Sequence, residues 1–266
     1  MKITDVNVET YLERIGYRGS TKPTAEVLKS MHRAHLLTVP FENLDIALGV
    51  PIELDLDAFF EKIVVRRRGG FCYELNGLFG WLLRELRFPV AMLSARVLDG
   101  GRIGPDFDHM LLLVRLEDRL IADVGFGDSF LTPVPMDGDE QVEGDRTYRV
   151  AVTEWALTLE RLSPGTDWEP QYAFNGAPRR LSDFAEMCRW QQTSPESHFT
   201  QKAICSLATE DGRITLSNGR LIETKAGNKS ERSIKDHAEY RDLLRLHFGI
   251  ELHAGAPIEK LMDRTG

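Results

Sequence analysis

The sequence predicts an α+β fold built in three consecutive parts: helices, then strands, then a mixed tail. Three observations carry this. Over the first third, apolar residues recur at three- and four-residue spacing. After Pro89 they form short aliphatic and β-branched runs broken by turn residues. Beyond residue 200 both patterns occur.

In the helical part, Thr24 is placed to cap a helix carrying Val27, Leu28, Met31 and Leu36 that ends before Pro40. A second helix is expected from Asp55 through Phe59, Phe60 and Ile63 to a stop at Gly69-Gly70. A third begins near Cys72, sets Leu75, Leu78, Phe79, Leu82, Leu83 and Leu86 on one face, and closes at Pro89. VAMLSARVL, HMLLLVRL and RLIADVGF read as strands separated by Asp99-Gly100-Gly101 and Glu117-Asp118. TYRVAVTEWALTLERL and WEPQYAF extend the series into an antiparallel sheet or barrel, and helix resumes near LSDFAEMCRWQQ. In the tail, Asn218-Gly219 between RITLS and RLIET signals a type I′ hairpin. A closing helix carries Tyr240, Leu243, Leu244, Leu246 and Phe248 before Gly249. The expected division is 1-88, 89-200 and 201-266.

A chain of 266 residues buries enough core to fold without disulfides or a metal. Its 42% hydrophobic and 28% charged residues exclude general disorder. Lys and Arg number 33 against 41 Asp and Glu, and the net charge of −8 argues against nucleic acid or an anionic membrane as partner. A local basic patch could still hold one anionic cofactor. MKITDVNVETYLERIGY lacks the apolar core of a secretion signal. FCYELNGLFGWLLRELRF is too interrupted, by Glu74, Asn76, Arg84 and Glu85, to span a bilayer. Three irregularly spaced cysteines do not make a disulfide framework, so the expected location is cytoplasmic.

Cys72 is the most informative residue. It opens an amphipathic helix, where the macrodipole and free backbone N–H groups favour a thiolate, and nearby arginines would add to this if they faced it. Alone, such a cysteine is as readily a small buried hydrophobe. A nucleophilic cysteine needs a base and an orienting acceptor. His109 starts HMLLLVRL and Asp123 ends RLIAD; a hairpin through Glu117-Asp118 would make the two cross-strand neighbours. Gly125-Phe126-Gly127-Asp128-Ser129 follows as a turn whose N–H groups could approach an anion, though its spacing fits no nucleotide fingerprint. His32 and His35 lack a third metal ligand and read as helix-surface histidines, so no metal is expected. Of Arg66-Arg67-Arg68, a run otherwise read as solvated, Arg68 has a partner in Glu42. Cys188 and Cys205 read as structural.

These segments resemble the arylamine N-acetyltransferase family. RGGFCYELN (68–76) is similar to its active-site cysteine motif, VPFENLD (39–45) to a second block, and HMLLLV and DVGFG to the histidine and aspartate blocks. SPESHF (194–199) resembles a further block, and all occur in family order. The resemblance implies a helical bundle, a β-barrel-like domain and an α/β lid around a cysteine-protease-like core. It implies a Cys72–His109–Asp123 triad and acetyl transfer from acetyl-CoA to an aromatic amine or hydrazine. It also implies that Phe41, Phe126 and Phe199 line the acceptor pocket, that Phe126 and Gly127 lie near the cofactor, and that Arg68–Glu42 is a structural ion pair behind the cysteine. Where family members often carry a small hydroxyl residue able to bond the cofactor pyrophosphate, this chain has Asp108. A carboxylate there would repel phosphate unless it turns away or pairs with Arg102. Three alternatives stay open: an amide synthase acting on a carrier-bound acyl thioester, a thiol hydrolase or transglutaminase-like enzyme, and a binding module with a packed Cys72.

Overall fold

The computed structural model describes residues 5–153 and 156–262; the first four residues, Glu154 and Trp155 of TYRVAVTEWALTLERL, and the last four lie outside the described residues. Ahead of the expected helices lies α1 (Asp5–Arg14). Its buried Arg14 guanidinium donates to the carbonyls of Ile63 (2.9 Å), Thr38 (3.0 Å) and Arg68 (3.2 Å), binding α1 to the segments that follow. Next come α2 (Ala25–Thr38), capped by Thr24 as expected, β1 (Phe41–Glu42), α3 (Leu44–Leu48) and α4 (Leu56–Phe60), capped by Asp55.

The helix from Asp55 does not reach Gly69-Gly70. It widens into a π-helical turn over Glu61–Val65 and stops at Arg66, and Arg67 takes a left-handed φ of +53°. Two demands oppose a regular helix there: Arg14 draws on backbone carbonyls, and Lys62 and Arg68 both turn inward to buried carboxylates. After that break, α5 (Cys72–Glu85) begins, with the Glu74 carboxylate accepting the Phe71 N–H at 3.1 Å.

The middle of the chain supplies β2 (Val90–Asp99), β3 (Arg102–Ile103), β4 (His109–Arg115), β5 (Arg119–Ala122), β6 (Val134–Pro135), β7 (Gln141–Glu143), β8 (Arg146–Val152), β9 (Leu157–Leu162) and β10 (Glu169–Phe174). They form one antiparallel sheet in the order β6-β5-β4-β2-β10-β9-β8-β7, with β3 paired to β2. The sheet curls until β6 lies beside β8, nearly closing a barrel. β4 is buried on both faces, which is why its sequence is almost continuously apolar. Leu111 and Leu113 join the barrel core with Tyr148, Leu159 and Tyr172, while Met110, Leu112 and Val114 pack against α5. His109 has the parity of the barrel face.

A 3₁₀ turn (Leu181–Phe184) leads to α6 (Ala185–Thr193) and α7 (His198–Gln201), then β11 (Ile204–Thr209), β12 (Gly212–Ser217), β13 (Arg220–Lys225) and β14 (Asn228–Ser233). Asn218 and Gly219 both take positive φ (+43° and +71°), as a type I′ turn requires. α8 (His237–Phe248) and the short α9 (Glu259–Met262) close the described chain. Leu246 is 74% exposed because, two residues on from the buried Leu244, it lies roughly 200° round α8 from that side chain. β1 forms the edge of this second sheet, pairing Phe41 with Ser206 and Glu42 with Cys205. Residues of the first part thus complete the sheet of the third. Among the described residues, no helix is long and apolar enough to cross a membrane.

Candidate active site

Cys72 is the first residue of α5 and 3% exposed. The loop after β5 crosses directly over it. A Cβ on Gly125 would fall 2.8 Å from the Cys72 Cα, so only glycine permits this approach. β4 meets the same point, where the Met110 N–H acts to lower the Cys72 thiol against the larger effect of burial.

On the other side of that contact, His109 Nε2 lies 2.7 Å from Asp123 Oδ2. β4–β5 pairs Leu112 with Ala122, so Asp123, one residue past β5, falls opposite Leu111. His109 and Asp123 are therefore diagonal neighbours on one face rather than directly opposed. Asp123 Oδ1 accepts from Asn76 Nδ2 (2.8 Å) and from the Gly125 N–H (2.9 Å). Burial acts to raise the Asp123 carboxyl, but His109 and these donors outweigh it and hold the group below its ordinary value.

Burial, with smaller contributions from the charges of Asp108 and Asp123, pushes the Cys72 thiol well up. Nε2 of His109 faces Asp123, so Nδ1 is the ring nitrogen outside that contact. Arginine does not assist: Arg68 turns away from the sulfur to Glu42 (2.7 Å) and Asp45 (2.9 Å). Lys62 extends the cluster to Asp45 (2.8 Å) and Glu74 (2.9 Å). This buried network joins VPFENLD, the π-turn and the start of α5. Removing one partner leaves buried charges uncompensated, so Lys62→Met should lower unfolding free energy by about 3–5 kcal/mol in urea titration. A loss under about 1 kcal/mol would show the network to be dispensable.

The residues before His109 are also braced. Phe107 holds a left-handed φ of +64°, with its N–H on Ser94 Oγ (3.1 Å) and its carbonyl on the Tyr73 hydroxyl (2.8 Å). Asp108 does not pair with Arg102. Its Oδ1 accepts from Gln191 Nε2 (2.6 Å), and Gln191 Oε1 in turn accepts the Ser197 hydroxyl (2.6 Å). Burial raises the Asp108 carboxyl, only partly offset by His109, the Val97 N–H, His198 and Gln191.

Phe41 and Phe199 lie 6.2 Å apart, and Phe199 meets Phe71 edge-on at 5.8 Å. Asn43 Nδ2 holds the Phe199 carbonyl at 3.1 Å. Gly127 (φ +90°) faces Phe41, whereas Phe126 leans on His109 (5.1 Å) and Tyr172 (5.0 Å). Phe126 borders a cavity of about 670 Å³ with Val97, Arg102 and Arg161. The expected pocket phenylalanines thus fall in two groups, Phe41 and Phe199 with Phe71, and Phe126 with His109 and Tyr172.

Cys188 and Cys205 are buried, and burial raises both thiols, Cys188 to about 12. His32 and His35 are not on the surface: both are 0% exposed. α2 is covered on that face by α1, α5 and the loop after β5, and His35 packs on Tyr11 and Phe79. The signal lies in the spacing, since His32 and His35 follow Leu28 and Met31 by four residues. No group of three or more His, Cys, Asp or Glu placed to hold a metal occurs among the described residues.

The family described as N-acetyltransferase matches this chain over residues 24–256. An arylamine N-acetyltransferase of Mycolicibacterium smegmatis is 36% identical over 252 residues, 91% of each protein. The solved arylamine N-acetyltransferase of Salmonella typhimurium has a TM-score of 0.89 at 31% identity, covering 98% of this chain and 97% of that one. The Mycobacterium marinum arylamine N-acetyltransferase in complex with CoA has a TM-score of 0.87 at 31% identity, with 96% and 97% covered.

Proposed function

Because this chain belongs to the arylamine N-acetyltransferase family, we propose that Cys72, His109 and Asp123 move an acetyl group from acetyl-CoA to an aromatic amine or hydrazine. The observation that carries this reading is the buried His109–Asp123 pair at 2.7 Å, whose loop crosses over a helix-start cysteine at Gly125.

Cys72 gives its proton to His109 Nδ1 and attacks the thioester carbonyl. The oxyanion faces backbone N–H groups at the start of α5, where the helix dipole is favourable. The CoA thiolate leaves and takes the proton from His109, giving S-acetyl-Cys72. The amine then attacks this thioester while His109 receives a proton, and Cys72 departs as the amide forms. An aromatic amine is unprotonated at neutral pH, and its ring suits the apolar faces of Phe41, Phe126 and Phe199. The CoA complex of the Mycobacterium marinum relative supports CoA as carrier. Phe126 and Gly127 belong to this proposal as the residues beside the cofactor. Glu42 and Arg68 act as structural support behind the cysteine.

The divisions 1-88, 89-200 and 201-266 belong to the same proposal, with the third part as lid. So does a cytoplasmic enzyme of small molecules without nucleic-acid or membrane partners, which the net charge of −8 supports.

Double displacement predicts parallel lines when initial rates are measured against acetyl-CoA at several amine concentrations; lines that intersect would sink the covalent route. Asp108 favours a second reading, an amide synthase that takes its acyl group from a carrier. Its carboxylate accepts from Gln191 and, among the described residues, has no cation as partner, so it supplies no donor for a CoA phosphate beside His109. That reading expects a carrier-bound thioester to acylate Cys72 faster than acetyl-CoA does.

A further inference from the structure

We propose that His32 is a positioning residue of this site: its neutral ring fixes the backbone of Asp123 and closes the loop carrying Phe126 and Gly127. The inference rests on the acyltransfer reading only for its consequence, since the geometry stands alone. His32 Nε2 lies 3.0 Å from the Asp123 N–H and Nδ1 lies 2.8 Å from the Leu131 carbonyl. An amide N–H only donates and a carbonyl only accepts. The ring is therefore held neutral, with its proton on Nδ1. Phe130 stacks on it at 5.6 Å with an 8° interplanar angle, and Phe79 meets its edge at 6.2 Å.

The need for such a group follows from the strand end. The β4–β5 ladder stops at Ala122, so the next three N–H groups leave the sheet inside the core. Asp123 N–H goes to His32, Val124 N–H to Asn76 Oδ1 (2.9 Å) and Gly125 N–H to Asp123 Oδ1 (2.9 Å). Without His32 the first would be a buried donor with no acceptor, which the chain would relieve by tilting the Asp123 backbone. That tilt moves Oδ2 relative to His109. Holding Leu131 as well, the same ring brackets residues 124–130.

Two substitutions separate the two bonds. His32→Gln places a carbonyl oxygen near the Nε2 position and can accept the Asp123 N–H. His32→Asn reaches only the Nδ1 position, so it can donate to Leu131 but leaves Asp123 unheld. The readouts are the rate of single-turnover Cys72 acetylation by acetyl-CoA, followed by intact mass, and the pH dependence of Cys72 alkylation by iodoacetamide. His32→Asn should slow acetylation on the order of 10- to 100-fold and change the pH dependence of alkylation, and His32→Gln should recover most of both. Equal rates in the two folded variants would overturn the proposal. If wild type is not acetylated, the acyltransfer reading fails, and the alkylation profiles still decide the role of His32. Should neither variant fold, ¹⁵N shifts of the wild-type ring decide it: the neutral Nδ1–H tautomer is required, and an imidazolium or Nε2–H form refutes it.

Discussion

Cys72→Ala is expected to abolish the acetyl adduct that wild type forms on brief exposure to acetyl-CoA without an amine. In wild type a single adduct should appear by intact mass and be discharged by an added arylamine. The substitution removes the atom that bonds to the acetyl group, so the remaining residues can only orient substrates. Loss of a covalent nucleophile costs on the order of a million-fold in kcat where it has been isolated from its partners. The fold should survive, because the change deletes one small buried sulfur and leaves the Glu74 contact with Phe71 and the Gly125 crossing in place. Cys188 and Cys205 provide the internal control. Both are buried thiols raised by that burial, so reactivity there should be slow. An adduct persisting in the alanine variant would move the nucleophile to one of them and refute the assignment.

Features set by neighbouring residues are legible in the sequence itself. The Thr24 cap, the Asp55 start, the Cys72 helix and the Asn218-Gly219 turn each depend on a few consecutive side chains. Pairing of His109 with Asp123 is also legible, because a short hairpin turns linear spacing into cross-strand register; only the diagonal offset is not. What escapes depends on long-range contacts. The early end of the Asp55 helix is set by Arg14, about fifty residues away, and by carboxylates from three other segments. His32 and His35 look like surface residues until the loop after β5 and α1 are laid over them. Asp108 finds Gln191 on α6 instead of nearby Arg102, a choice that no local pattern encodes. The site is thus built from locally specified pieces whose relative placement is governed by buried polar groups satisfied across the fold.

Asp123→Asn should retain the fold and lose on the order of 10⁴-fold in the acetylation rate, by a route that the hydrogen bonds dictate. Two donors, Asn76 Nδ2 and the Gly125 N–H, converge on one oxygen of residue 123. An asparagine must therefore turn its carbonyl toward them and its amide nitrogen toward His109. Nε2 then has to accept, so the ring proton moves to Nδ1, the nitrogen that should receive the Cys72 proton. The enzyme would keep its geometry and hold the wrong tautomer. The same change bears on acid stability. Asp123 is held below its ordinary value in the fold, so its contribution is fully present above the unfolded carboxyl value of about 3.9 and is lost as pH falls through the lower native value. Asparagine should flatten that part of the stability profile while leaving the neutral-pH melting transition cooperative. Single-turnover acetylation and ¹⁵N shifts of His109 test both halves together. A variant with wild-type rate and an unchanged His109 tautomer would remove Asp123 from the catalytic triad.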